Sequence, residues 1–156
     1  MNINPMFEIN KKIISSLPIN PELDSYKLRV RKLLEFEVTL GELAKVTNCY
    51  SYLDNNTEDP CSDLVLEKYI NCISNLITLG IEHNYDDITS INVATNDNCL
   101  SDQFLNLYID INDLIVSPCR DHYITLFEDI LAVGEFLGFS EDIIDEKFKL
   151  KNKNYN

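Results

Sequence analysis

The sequence is poor both in residues that interrupt helices and in residues that bind polyanions. Its 156 residues include four glycines, five prolines and no tryptophan. An all-β protein needs many tight turns, which glycine and proline usually supply, so this composition argues against a sheet protein. The 13 lysines and arginines are outnumbered by 26 aspartates and glutamates. We therefore expect a helical protein without a nucleic-acid partner, because binding to a phosphate backbone depends on lysine and arginine.

A membrane segment, a secretory signal and a zinc motif are also missing. No run approaches ~18 uninterrupted apolar residues, and the net charge of −13 disfavours an anionic bilayer surface. The five cysteines are odd in number and show no CxxC spacing, so no zinc knuckle is indicated. These features predict a single cytoplasmic domain over residues 1–156, with reduced thiols and no membrane partner. On charge alone, a DNA-mimicking protein remains an alternative.

Apolar residues that recur every three or four positions predict six helices. We expect them over residues 3–16, from the Asn20–Pro21 pair to about Tyr52, over 62–82, 101–115 and 118–137, and from Ser140 to the basic tail. Ser62, Ser101, Ser117 and Ser140 are the predicted N-caps of the last four helices, and Gly138 is expected to end the fifth. Residues 53–61 and 84–99 are predicted loops. In the third helix, the stripe that faces the core is predicted to be Tyr69, Ile73, Leu76, Ile77 and Gly80.

Polar side chains lie along stripes of the second and third predicted helices. In the second, Glu35, Thr39 and Glu42 fall on one stripe. In the third, Lys68 and Asn71 lie one turn apart. Two facing helices with carboxylates at such positions form a known type of metal site. Here, most of the matching positions hold other side chains.

Several segments resemble the dimeric all-α dUTPases, which belong to the all-α NTP pyrophosphatases. Residues 41–44 and 47–52 resemble the first family signature, ExxELANExRxFKxW. Residues 67–71 (EKYIN) and 79–82 (LGIE) resemble the second, EEYVD followed by LGxE. Shorter segments near 7–11, 102–105, 137–140 and 151–152 extend the likeness over nearly the whole chain. The resemblance implies an all-α helical bundle of this type and a homodimer.

The resemblance also assigns the site residues. In the family, four acidic side chains on two helices hold Mg²⁺, which activates water and neutralises phosphates. Those positions correspond here to Thr39, Glu42, Lys68 and Asn71, so only Glu42 keeps its carboxylate. Glu35 and Glu67, each one turn before a lost ligand, are candidate substitutes for a rebuilt site. Nucleotide contacts are implied for four further residues: Asn10, Asn48, Lys151 and Asn152.

The altered ligand positions predict a weak Mg²⁺ site and therefore little catalytic activity. Mg²⁺ prefers several hard oxygen ligands in octahedral geometry, and the Lys68 ammonium would stand where the cation belongs. Lys68 either pairs with Glu42 as an internal counter-charge or extends into solvent. We expect a catalytically weak or inactive dUTPase-like protein that binds a nucleotide or a protein partner and needs no cofactor. The alternatives are an active Mg²⁺-dependent enzyme that converts dUTP to dUMP and pyrophosphate, and a structural subunit that pairs with an active relative.

Overall fold

The computed structural model describes residues 1–53, 61–93, 95 and 97–155, and the regular elements in these ranges are helical. The helices are α1 (Asn4–Ser16), α2 (Ser25–Thr47), α3 (Ser62–Glu82), α4 (Leu100–Val116), α5 (Arg120–Phe136) and α6 (Glu141–Lys151). A 3₁₀ turn, Lys153–Tyr155, follows α6. The predicted all-α fold is confirmed.

Helix α3 is the centre of the protein, and α1, α2, α5 and α6 all contact it. The five residues predicted to face the core, from Tyr69 to Gly80, are all buried. By length and composition alone, α3 would also suit a membrane crossing. Half of that stretch is buried inside the protein, as is usual for the core helix of a bundle.

Two tyrosine–glycine contacts join α3 to α5, and each helix supplies the tyrosine of one contact and the glycine of the other. Tyr123 on α5 packs over Gly80 on α3, and its hydroxyl donates to the Leu76 carbonyl at 3.1 Å. Tyr69 on α3 packs over Gly134 on α5, and its hydroxyl donates to the Ile130 carbonyl at 3.1 Å. Each buried hydroxyl is therefore satisfied by a carbonyl one turn before the glycine. Gly80 thus makes room for the side-chain rings of Tyr123 and Phe7.

The boundaries of α2 differ from the prediction at both ends. The helix begins at Ser25, because the Asp24 carboxylate caps it by accepting from the Lys27 amide at 2.8 Å. Asn20 instead closes a separate turn, in which its side chain accepts from the Glu22 amide. At the other end the helix stops at Thr47, where Asn48 takes a left-handed conformation with φ of 53°. The prediction of one helix from Asn20 to Tyr52 was therefore too long.

Three of the four predicted serine caps are wrong, and only Ser140 is confirmed, accepting from the Ile143 amide. The cap residues of α3, α4 and α5 are Cys61, Cys99 and Cys119. Two of the serines lie just inside their helices, and the Ser101 hydroxyl donates to the Cys49 carbonyl, which ties α4 to the end of α2. Ser117 lies before Cys119, whose sulfur accepts from the His122 amide. All five cysteines are free thiols.

The predicted loops are irregular where the structure describes them. In the 84–99 segment, an isolated bridge joins Asn2 to Ser90, and Ile88 and Ile91 are buried against the core. Gly138 follows α5 with φ of 82°, as predicted for a helix end. Most of the 53–61 loop lies outside the described residues.

An aspartate pair lies between α4 and α5. One oxygen of Asp110 is buried and has no hydrogen-bond partner in the part of the chain that the structure describes. Burial raises the pKa of Asp110 to about 7, and the neighbouring Asp129 carboxyl acts in the same direction. Asp113 raises this pKa further, whereas His122 lowers it. Asp110 therefore holds a proton in the folded state at mildly acidic pH.

The Asp110 proton predicts how stability depends on pH. The folded-state pKa of about 7 exceeds the ordinary value of 3.8, so between these values the folded state binds a proton that the unfolded chain has lost. This contribution to stability falls as pH rises through that window. We expect Asp110→Asn to be more stable than wild type at about pH 8, with a difference that shrinks towards about pH 5. Urea unfolding across pH measures this, with Glu146→Gln, at an exposed carboxylate of α6, as control. Parallel curves for wild type and Asp110→Asn would contradict the assignment.

Candidate functional site

The four positions that correspond to metal ligands lie on facing helices, with Thr39 and Glu42 on α2 and Lys68 and Asn71 on α3. Thr39 is buried. Its hydroxyl donates to the Glu35 carbonyl at 2.7 Å and accepts from the Asn75 amide at 2.8 Å. The Thr39 hydroxyl therefore joins the two helices directly.

Glu42 and Lys68 form an ion pair between the same helices. The Lys68 Nζ atom donates to the Glu42 Oε2 atom at 2.8 Å. The Lys68 side chain is 25% exposed and that of Glu42 is 49% exposed, so water reaches the pair. The hydrogen bond from Lys68 to Glu42 raises the pKa of the lysine, which stays charged. The remaining carboxylate of the site is thus matched by an internal cation.

A second ammonium group reaches the fourth ligand position from the end of α6. The Lys151 Nζ atom donates to the Asn71 Oδ1 atom at 2.5 Å. Burial lowers the pKa of Lys151, while the negative charge of Glu67 opposes this change. Cys72 is buried next to Asn71, and burial raises the pKa of its thiol to about 12. The protonated thiol is a poor metal ligand and a poor nucleophile.

This donor set does not fit Mg²⁺. A magnesium site needs hard oxygen ligands, usually with one or more free carboxylates. Here the Glu42 carboxylate is bound by Lys68, the Thr39 oxygen is bound by Asn75, and the Asn71 oxygen is bound by Lys151. Within the described ranges, no three histidine, cysteine, aspartate or glutamate side chains converge to hold a metal ion.

The two candidate substitute carboxylates, Glu35 and Glu67, line different cavities. Glu35 lines a cleft with residues of α1 and α3. Glu67 lines a separate small cavity with Lys147 and Leu150 of α6, and Lys151 borders both spaces. The structure therefore does not bring Glu35 and Glu67 together around Glu42.

The cleft beside the altered positions has a volume of about 350 Å³. This volume is at the lower end of the range for small-molecule sites. Its walls come from α1, α2 and α3, and the end of α6 closes one side. The polar and charged residues that line it are Asn10, Arg31, Lys32, Glu35, Ser74, Asn75, Thr78, Lys151 and Asn152.

Three of the four predicted nucleotide-binding residues meet in this cleft, and Asn48 does not. The Asn10 amide donates to the Thr78 hydroxyl at 2.7 Å and to the Ser74 carbonyl at 3.3 Å. Asn152 uses its amide to cap α6 by donating to the Phe148 carbonyl. Asn48 follows the far end of α2, which puts it about 20 Å along the helix axis from Glu35.

Arg31 and Lys32 belong to the basic run of residues 27–32, for which a solvated helix face was the favoured interpretation and a phosphate clamp the alternative, so neither was among the predicted site residues. The spacing of these cations along the sequence does indicate that they share a helix face with cleft residues. Leu28, Arg31, Lys32 and Glu35 follow the i, i+3, i+4, i+7 pattern of one helix face, and all four line the cleft. Lys32 pairs with Glu82 at the end of α3. Arg31 is exposed and forms no ion pair with the described residues.

Removing the Lys68–Glu42 pair should alter stability only slightly. Because both side chains are partly solvated, Lys68→Met leaves a carboxylate that water can reach. We expect similar small shifts of melting temperature for Lys68→Met and Glu42→Gln. Leu43→Ala, which truncates a fully buried neighbour of Glu42, should cost about 2–5 kcal/mol and sets the scale. A loss of stability in Lys68→Met as large as that in Leu43→Ala would show that the pair holds the helices together.

A match to a known protein family covers all residues of the site. A family model described as dUTPase matches residues 2–156. Neither a curated protein nor a solved structure gives a match. The matched range contains all six helices, the four altered ligand positions and the cleft.

Proposed function

The chain belongs to the dUTPase family, and we propose that it is a catalytically silent member that binds a nucleotide in the cleft between α1, α2 and α3. It works without a metal cofactor. One observation carries this proposal: ammonium groups contact two of the four ligand positions, Lys68 at Glu42 and Lys151 at Asn71. Without a metal to activate water and neutralise phosphates, hydrolysis loses its main source of transition-state stabilisation.

Nucleotide binding is supported by the polar groups that remain in the cleft. The NH₂ group of Asn10 is occupied by Ser74 and Thr78, but its carbonyl oxygen accepts no hydrogen bond from the described residues. That oxygen is free to accept from a base N–H, and uracil carries one at N3. Apolar side chains of α1, Ile13 and Ile14, line the same cleft and suit a flat base.

The test is pyrophosphate release from dUTP and the other deoxynucleoside triphosphates in the presence of Mg²⁺. We expect release at the background rate, with an active dUTPase run in parallel as the positive control. Turnover of about 1 s⁻¹ or more, within the usual range of enzymes, would contradict the proposal and support the active alternative.

A second candidate function, assembly with a protein partner, is supported by an exposed apolar face on α2 and α4. The exposed side chains form two rows, Val30, Leu34 and Val38 along α2 and Leu105 and Ile109 along α4, and the two helices contact each other. Leu34 and Leu105 are 56% and 63% exposed. Apolar side chains that recur along one helix face and remain in solvent are typical of subunit interfaces. We propose that two copies of the chain bury this face in a homodimer.

Light scattering at micromolar concentration tests the dimer, and we expect the dimer mass. Leu34→Glu should shift the protein towards monomer, because it buries a charge at the proposed interface. Ile143→Glu on α6, at another exposed apolar residue, serves as control and should leave the mass unchanged. A monomer mass for the wild type would contradict the homodimer.

A further inference from the structure

A cavity of about 420 Å³ lies between the C-terminal end of α2 and the first half of α4, and it shares no described lining residue with the proposed nucleotide cleft. None of the described residues that line it is charged, and four are aromatic: Tyr50, Tyr52, Phe104 and Tyr108. Burial raises the pKa of Tyr108, whose hydroxyl has no hydrogen-bond partner in the described part of the chain. The cavity therefore suits an uncharged aromatic group that carries a hydrogen-bonding atom.

The cavity continues the surface that the two apolar rows form. Leu105 belongs to the α4 row and also lines the cavity, and Ala44 brings the end of α2 to its wall. At the opposite end of α2, Tyr26 extends the row of that helix by one turn, at the same spacing of four residues, and is 69% exposed. An exposed aromatic side chain therefore lies at one end of the proposed interface, and an aromatic cavity lies at the other.

The charges of α2 favour an antiparallel pair of these helices in the dimer. The first half of α2 carries only cations and the second half mainly carboxylates, namely Lys27, Arg29, Arg31 and Lys32, then Glu35, Glu37, Glu42 and Lys45. Antiparallel pairing places the basic half of each helix beside the acidic half of the other, and it also opposes the two helix dipoles. Parallel pairing would place like charges together. A two-fold axis perpendicular to α2 generates the antiparallel arrangement.

Helix geometry indicates which residue meets the cavity. Tyr26 and Ala44 are 18 residues apart in the sequence, which is about five turns, so both lie on the same side of α2. Their midpoint lies beside Leu34, which is exposed. A two-fold axis at this midpoint brings Tyr26 of each copy to the level of Ala44 of the other, on the flank that faces the cavity.

We propose that, in the homodimer, the Tyr26 ring of each copy occupies the cavity of the other copy. This inference rests on the proposed homodimer and names the contact that anchors it. The ring suits the aromatic wall, and the unpartnered Tyr108 hydroxyl offers the phenol group a hydrogen bond. Tyrosines that enter a pocket at an interface commonly contribute a large share of the binding free energy.

Cross-linking between copies tests this contact, because Cys49 is a free, half-buried thiol in the cavity wall. In Tyr26→Cys, at a concentration that gives the dimer mass, a short bismaleimide should link the introduced thiol to Cys49 of the other copy. Positions 26 and 49 of one chain are separated by nearly the whole of α2, about 33 Å, so the link joins two chains. Adding Cys49→Ser should abolish the product, and Ile143→Cys on α6 is the matched control.

Dissociation of the dimer gives a second readout that needs no introduced thiol. Tyr26→Ala should raise the dissociation constant by about tenfold or more, because the cavity loses its aromatic occupant. Tyr26→Phe keeps the ring and should lie between Tyr26→Ala and wild type. Ile143→Ala, at an exposed apolar residue of α6, should leave the constant unchanged. Sedimentation equilibrium measures all of these proteins.

The outcomes separate this inference from the homodimer itself. A dimeric Tyr26→Cys protein that links to Cys49 no more than Ile143→Cys does would overturn the inference and leave the homodimer in place. Equal dissociation constants for Tyr26→Ala and Ile143→Ala would do the same. A monomer mass for the wild type would overturn the homodimer, and with it this inference.

Discussion

Replacing Gly80 with alanine is expected to destabilise the protein by about 1–3 kcal/mol, although alanine is the better helix former. An added Cβ atom would lie 2.7 Å from Tyr123 Cζ and 2.9 Å from Phe7 Cε1. Both rings are fully buried, and the Tyr123 hydroxyl is held by the Leu76 carbonyl. Neither ring has room to move, so α3 and α5 must separate or a side chain must leave its preferred rotamer.

Gly134→Ala should have an effect of similar size, because its Cβ atom would lie 2.5 Å from the Cζ atom of the buried Tyr69. Gly41→Ala is the matched control. Its Cβ atom would be 3.3 Å from the hydroxyl of Tyr108, which is half-buried and can shift. We expect Gly41→Ala to be neutral or to stabilise by about 0.5–1 kcal/mol. Urea unfolding measures all three variants, and equal stability of Gly80→Ala and Gly41→Ala would contradict the close packing of α3 on α5.

Restoring the lost carboxylates should make stability depend on magnesium. In the triple variant Thr39→Glu, Lys68→Glu, Asn71→Asp, the new side chains join Glu42 between α2 and α3. Without metal, the four carboxylates repel one another, so the variant should be less stable than wild type in EDTA. Mg²⁺ should restore stability, by about 2.7 kcal/mol at a concentration near 100 times its Kd. Thermal unfolding in EDTA and in Mg²⁺ measures the difference.

Thr39 is buried between the helices, so the larger glutamate side chain needs a separate check. The double variant Lys68→Glu, Asn71→Asp keeps the Thr39–Asn75 hydrogen bond and changes partly exposed positions only. It should show a smaller Mg²⁺ response of the same sign. If both folded variants ignore Mg²⁺, then positions 42, 68 and 71 do not converge on one ion.

Helical periodicity was sufficient to predict the bundle and the buried stripe of α3, because those depend on local spacing. Gly80 was predicted to lie on that stripe, but the ring that packs over it comes from Tyr123 on α5, and local spacing carries no information about that contact. The starts of the helices were harder to predict. Asn20 and Asp24 are both good cap residues. Asp24 caps α2 because Asn20 closes a separate turn between α1 and α2. Cysteine is a weak capping residue, so Cys61, Cys99 and Cys119 gave no signal.

The site was predictable only where it depends on helix spacing. Spacing and the family likeness placed Thr39, Glu42, Lys68 and Asn71 on facing stripes. The cation that meets Asn71 comes from Lys151, 80 residues further along the chain, and local patterns carry no information about that contact. Arg31 was assigned to a solvated face for the same reason: the opposite wall of the cleft belongs to α1 and α3.

Thermal unfolding of the wild-type protein in EDTA and in millimolar Mg²⁺ tests the central claim most directly. The claim is that internal ammonium groups, at Glu42 and Asn71, have replaced the metal ions of the family site. If so, the two melting curves coincide, because no vacant set of ligands remains for the ion to stabilise. A saturable rise in melting temperature with Mg²⁺ that Glu42→Gln abolishes would show that the site still binds metal, and would contradict the claim.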